Sequence, residues 1–124
     1  MGMLDTLLGH AGEKNVADLQ EEFAPLLAQG EPLQRAFGFV RDLIVFTDRR
    51  MILVDKQGIT GKKMSFLSIP YRAVVMYSIE TAGHFDLDAE LRIWVSSQPE
   101  PISRTLGRGA GAQDIIAILA QNTR

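Results

Sequence analysis

His84, Asp86, Asp88 and Glu90 stand at alternate positions in the segment GHFDLDAELRIWV, residues 83–95. An imidazole and three carboxylates are the groups that bind divalent metals or exchange protons with a reacting atom. In an extended strand, residues two apart share a face. His84, Asp86, Asp88, Glu90, Arg92 and Trp94 would therefore line one side, and Phe85, Leu87, Ala89, Leu91, Ile93 and Val95 the other. A half-buried antiparallel strand shows this alternation with or without a ligand. Successive same-face residues lie about 6–7 Å apart, too far for adjacent pairs to chelate one ion unaided. A catalytic zinc needs three converging ligands, yet His10 is the one other histidine and no His-x-x-x-His pair exists. The segment reads first as the wet face of a strand and second as a protein-contact surface. No metal and no cofactor are expected.

Other constellations fail similar checks. Residues 107–112, GRGAGA, match a dinucleotide fingerprint in form. That fingerprint works inside a βαβ unit, and the residues after 112 leave room for a single helix. Gly109 or Gly111 then reads as a turn before that helix. GITGKK, residues 58–63, has Lys63 where a phosphate loop needs Ser or Thr, and reads as a hairpin turn. No nucleophile elbow is present, and the absence of cysteine excludes thiolate chemistry.

The elements that must position these residues follow from periodicity. The 124 residues suit one domain, and 46% hydrophobic with 23% charged residues suits a folded core rather than disorder. Asn15 followed by Asp18 marks a helix start, Val16, Leu19, Phe23, Leu26 and Leu27 keep helical spacing, and Gly30 and Pro32 end it. Met3, Leu4, Leu7 and Leu8 suggest a shorter turn before it. From Pro32 the pattern changes to seven short segments rich in β-branched and aromatic residues, separated by turn signals. Short links require antiparallel pairing. Ile115, Ile116, Ile118 and Leu119 then predict a closing amphipathic helix. The organisation expected is an N-terminal helical segment, residues 1–30, and a mainly β domain with helices (α+β), residues 31–124. Leu43–Phe46 and Met51–Val54 are apolar on both faces, so their outer side needs cover from the N-terminal helix or from a neighbouring chain.

Net charge is −2, which disfavours nucleic acid as a partner, but it is zoned. Residues 1–31 carry six acidic side chains against Lys14, whereas residues 32–78 carry eight basic against three acidic. Opposite zones on identical chains favour and orient head-to-tail association. No apolar run reaches the roughly 20 residues of a membrane span. The start of the chain lacks a basic region ahead of its apolar stretch. Both features fit a cytoplasmic protein.

The run from residue 40 to 98, above all FTDRRMILVDKQGITGKK and ETAGHFDLDAELRIW, resembles the bacterial pleckstrin-homology-like family. The resemblance implies a PH-like barrel or sandwich of seven antiparallel strands in two near-orthogonal sheets with a C-terminal capping helix. It implies a non-enzymatic chain without cofactors, assembled with itself into a cyclic ring, a pentamer, that receives an unidentified protein partner on a hydrophilic surface. Arg41, Arg49, His84, Asp86, Asp88 and Glu90 are the partner-binding candidates. Eukaryotic relatives bind phosphoinositides through basic residues between their first two strands. Here residues 39–42 hold Arg41 alone, so membrane lipid is not the expected ligand. The alternative is a peripheral membrane module using Arg49, Arg50, Lys62 and Lys63 on anionic lipid.

Overall fold

Two adjacent strands that are apolar on both faces decide the layering of the molecule. The structure, a computed structural model, describes residues 12–39, 42–57, 63–81, 88–107 and 111–123. The two strands are β3 (Asp42–Thr47) and β4 (Arg50–Gln57), at the centre of a sheet with β1 (Gly12–Glu13), β2 (Leu33–Gly38) and β5 (Lys63–Pro70). The order is β1-β2-β3-β4-β5, antiparallel throughout. A second antiparallel sheet holds β6 (Val74–Thr81), β7 (Ala89–Val95) and β8 (Ile102–Leu106). The seven strands expected from the sequence are β2 to β8, and the two-residue β1 adds a short edge. Helix α1 (Val16–Phe23) precedes the sheets, and α2 (Ala112–Asn122) follows them. The α+β class expected from the sequence is the one observed.

One face of β3 and β4 builds the main core. Ile44, Phe46, Met51 and Leu53 pack with Leu91 and Ile93 of β7, Leu106 of β8, and Ile115, Ile118 and Leu119 of α2. The opposite face carries Leu43, Val45, Ile52 and Val54, all within 1% of full burial, under Leu19 and Phe23 of α1. Of the two covers open on sequence grounds, the chain's own helix supplies this one. Leu33 and Ala36 of β2 both join that outer cluster although they stand an odd three positions apart. A register shift between Leu33 and Arg35 reconciles this with strand alternation.

Local chemistry sets the helix ends. Asn15 caps α1, its Oδ1 accepting from the Ala17 amide at 2.9 Å. The α-helix stops at Phe23, short of the expected Leu27, and continues as a 3-10 turn over Ala24–Leu26. Pro25 has no N–H to donate to the Glu21 carbonyl, and the Ala24 amide bonds that oxygen instead. Gly111 starts α2 with φ +83°, and a β-carbon there would lie 2.8 Å from the Phe37 ring. Glycine is required twice over, for its backbone angle and for its missing side chain. The expected short turn over residues 3–8 and the links at 58–62 and 108–110 lie outside the described residues.

A buried charge fastens α1's segment to the sheet. Glu31 is 4% exposed and Thr47 is fully buried. One Glu31 oxygen accepts from Thr47 Oγ1 at 2.7 Å and Arg50 Nε at 2.9 Å, the other from Arg50 Nη2 at 3.0 Å and the Ala28 amide at 2.9 Å. Arg50 also donates to the Leu26 carbonyl at 2.7 Å and to Ser68 Oγ at 2.9 Å. Thr47 Oγ1 in turn accepts the Arg49 and Arg50 amides at 3.0 Å. The Arg50 hydrogen bonds outweigh the cost of burial and hold the Glu31 carboxyl at about 2, below its ordinary 4.5. The two sheets are clamped separately by Arg104 of β8 on Asp55 of β4, at 2.6 and 3.1 Å.

Two outcomes follow. Phe23→Ala should cost about 3–4 kcal/mol in urea denaturation, with dye binding to the uncovered outer face of β3 and β4. Glu31→Gln should cost about 3 kcal/mol at about pH 7, because the half-buried Arg50 loses its counter-charge. A carboxylate with a depressed pKa stabilises the fold above its unfolded value and stops doing so as pH falls through the folded one. The gap between wild type and Glu31→Gln should therefore narrow between pH 4.5 and about 2. A constant gap across that window would assign the loss to packing alone.

Candidate functional site

β7 shows the alternation that the sequence displays. Ala89, Leu91 and Ile93 are buried, whereas Glu90, Arg92 and Trp94 are half-buried on the other face and Asp88 is exposed just before the strand. Glu90 stands opposite Glu80 on β6, an unfavourable pairing of like charges. Arg92 relieves it, donating to Glu80 at 2.7 Å and to Glu90 at 3.0 Å. Two carboxylates bridged by one guanidinium make an ion-paired polar face with one negative charge left over, rather than an acid–base pair. Among the described residues no group of three His, Asp or Glu side chains could hold a metal. Ion pairs this exposed contribute little to stability. His84, Asp86 and Arg41 lie outside the described residues.

Arg49 belongs to a different place. It forms the β3–β4 turn with Asp48, to which its Nε lies at 3.4 Å. Its carbonyl accepts from the Tyr71 amide at 3.2 Å, next to the start of β6, where Val74 pairs with Val95. Glu90 is five residues back along β7, roughly 17 Å away at strand spacing. The structure thus brings Glu90 together with Glu80 and Arg92, and Asp88 next to them in sequence, but not Arg49.

The four lysines and arginines named for anionic lipid do not form a described patch. The Arg50 guanidinium is turned onto Glu31, and Lys62 lies outside the described residues. Lys63 pairs with Gln57 at the far end of the β4–β5 hairpin from Arg49. That hairpin puts roughly 23 Å between Arg49 and Lys63. Arg35 is spent as well, on Glu13 and Asp114, with its guanidinium 5.2 Å from the Phe37 ring centre. That contact lowers the Glu13 pKa through its hydrogen bond.

Sequence reasoning missed a second surface. β5 and β6 each have one side without a strand neighbour among the described residues. They carry Phe66, Leu67, Val75 and Met76, between 39% and 66% exposed. Met76 pairs across the strands with the half-buried Trp94 of β7. The signal was present in Val74-Val75-Met76-Tyr77, four apolar residues in a row where alternation calls for polar ones.

Comparison with known proteins places this geometry. The sequence profile described as bacterial PH domain matches residues 2–123. The Bacillus subtilis protein YjqA is 53% identical over 121 residues, 97% of each chain. Two crystal structures of pleckstrin-homology domain proteins superpose on the chain. The one from Shewanella amazonensis is 49% identical with a TM-score of 0.84 over 99% of both chains. The one from Shewanella loihica is 42% identical, with a TM-score of 0.81 over 94% of this chain and 99% of its own. With the family profile spanning nearly every residue and the fold shared at such identity, this chain belongs to the bacterial PH domain family.

Proposed function

We propose that the chain is a non-enzymatic interaction module that assembles with copies of itself into a closed ring, a pentamer, and offers polar strand faces to a protein partner. The observation that carries the reading is the set of exposed apolar residues on the edge strands β5 and β6. Edges are usually guarded by charge, proline or a bulge, because unpaired amides and carbonyls invite another strand. Here Pro70 ends β5 and a register shift marks the start of β6, but Phe66 and Leu67 in the middle of β5 and Val75 and Met76 in β6 remain partly exposed. Four of the five exposed large hydrophobic residues among those described lie on these two strands. A second copy would bury them and satisfy the edge at once.

β5 and β6 are edges of different sheets, and a neighbour joining head to tail brings a different surface to either of them. Such heterologous contacts close into rings when the rotation per subunit allows. Acidic Asp18 and Glu21 on the outside of α1, against exposed Lys63 at the start of β5, supply charge that orients the approach. The Glu80–Arg92–Glu90 face is the surface left for a protein partner.

Light scattering on the purified chain tests assembly. The wild type should give a mass several times 13.7 kDa at micromolar concentration, and Val75→Lys/Met76→Lys should return it to about that of one chain. Both positions are exposed, so the melting temperature of the dissociated variant reports whether its fold survives. A wild type that runs as a single chain overturns the ring.

A further inference from the structure

At the end of the molecule that holds the β3–β4 turn, a cleft of about 750 Å³ opens between three segments. Its walls are the 3-10 turn with Leu26 and Leu27, the turn with Asp48 and Arg49, and the Pro70–Arg72 link, with Asn122 of α2 at the margin. The volume falls within the range of ligand pockets. Hydrogen bonds already described fix the walls to one another. Arg50 joins the Leu26 carbonyl to Ser68 of β5, and the Arg49 carbonyl holds the Tyr71 amide. Tyr71 donates its hydroxyl to the Thr47 carbonyl at 2.7 Å. Burial, with Asp48 and Glu31 nearby, pushes the Tyr71 hydroxyl up, so it stays a neutral donor. A cleft held this way loses little freedom when a ligand enters.

The cleft contrasts with its surroundings in having cations to spare. Arg50 is committed to Glu31, but Arg49 has a single 3.4 Å contact and Arg72 makes no ion pair or hydrogen bond with the described residues. Beside these two guanidiniums, Leu26 is 45% exposed and Pro70 is exposed too, an apolar ledge within the same cleft. Guanidinium planes suit carboxylate oxygens. The carboxylates of Asp48 and Glu31 and the negative end of α2 at Asn122 also border the cleft. They oppose a doubly charged phosphate more than a singly charged carboxylate, and a free phosphate leaves the ledge unused.

We infer that this cleft docks an acidic peptide segment of a protein partner, with an apolar side chain on the Leu26–Pro70 ledge and a neighbouring carboxylate on Arg49 and Arg72. The site lies within one chain, apart from the Glu80–Arg92–Glu90 face, and goes beyond assembly. Its probe is a fluorescein-labelled, end-capped hexapeptide of alternating leucine and glutamate, followed by anisotropy with full-length protein. Saturable binding is expected, weakened about tenfold or more by replacing the glutamates with glutamine, a loss of about 1.4 kcal/mol. Arg49→Gln/Arg72→Gln should weaken it as much without lowering the melting temperature, and Leu26→Ser should weaken it independently of charge. Sodium phosphate should displace the peptide no better than sodium chloride of equal ionic strength. Absence of saturable binding, equal binding of the glutamine peptide, or stronger displacement by phosphate overturns the inference. The dissociated Val75→Lys/Met76→Lys variant should still bind, so a failure of the ring and a failure of the cleft are read separately.

Discussion

The buried carboxylate of Glu31 is the constraint around which the layers are arranged. An ionised carboxyl withdrawn from water is strongly unfavourable unless donors surround it. Glu31 has four, from Thr47, Ala28 and two Arg50 nitrogens. These come from both sides of a seam, the α1 segment on one side and the β3–β4 turn on the other. The same knot therefore fixes where α1 lies over Leu43, Val45, Ile52 and Val54. Apolar burial drives the helix onto the sheet without specifying an angle. The directional bonds of Arg50 to Leu26, Glu31 and Ser68 supply the angle.

Much of this arrangement was legible because strands and helix caps are local. Alternation in residues 88–95 separates a buried Leu91 and Ile93 from a wet Glu90 and Arg92 without reference to any partner. Asn15 announces α1 by a bond only two residues long. The two-sided apolarity of β3 and β4 demands a cover, but not which one, since the packing of Leu19 and Phe23 on that face is a tertiary fact. The end of α1 shifts because Pro25 acts through one missing donor, while the apolar spacing runs on through Leu27. The shift at Leu33 flips the alternation by one residue, which a pattern read along the strand does not tell from a strand end.

Long-range pairings were the illegible part. Glu31 and Arg50 are 19 residues apart, and Asp55 and Arg104 are 49 apart. Nothing in their neighbours distinguishes these arginines from Arg49 or Arg72. The candidate site suffered for the same reason. Glu90 and Arg49 are both charged and both exposed on sequence grounds, yet Glu90 is on β7 of the second sheet and Arg49 in the β3–β4 turn of the first. Glu80, which the pattern around residues 84–90 does not reach, is the actual neighbour of Glu90 through Arg92.

The zoned charge of the sequence must then be reread. Residues 32–78 look like a basic block, but the fold spends Arg35 on Glu13 and Asp114 and Arg50 on Glu31. Among the described residues, the others are Lys56 and Lys63 at one end of the β4–β5 hairpin and Arg49 and Arg72 near the other. A broad attraction to an anionic sheet such as a membrane needs charges that act together within about one Debye length, near 8–10 Å. Two guanidiniums beside an apolar ledge act over a shorter range and reward a ligand of matching shape. On the proposed reading, Arg49 and Arg72 select a segment of protein rather than hold a surface, and pairing at the edges of β5 and β6 would repeat that site around an assembly.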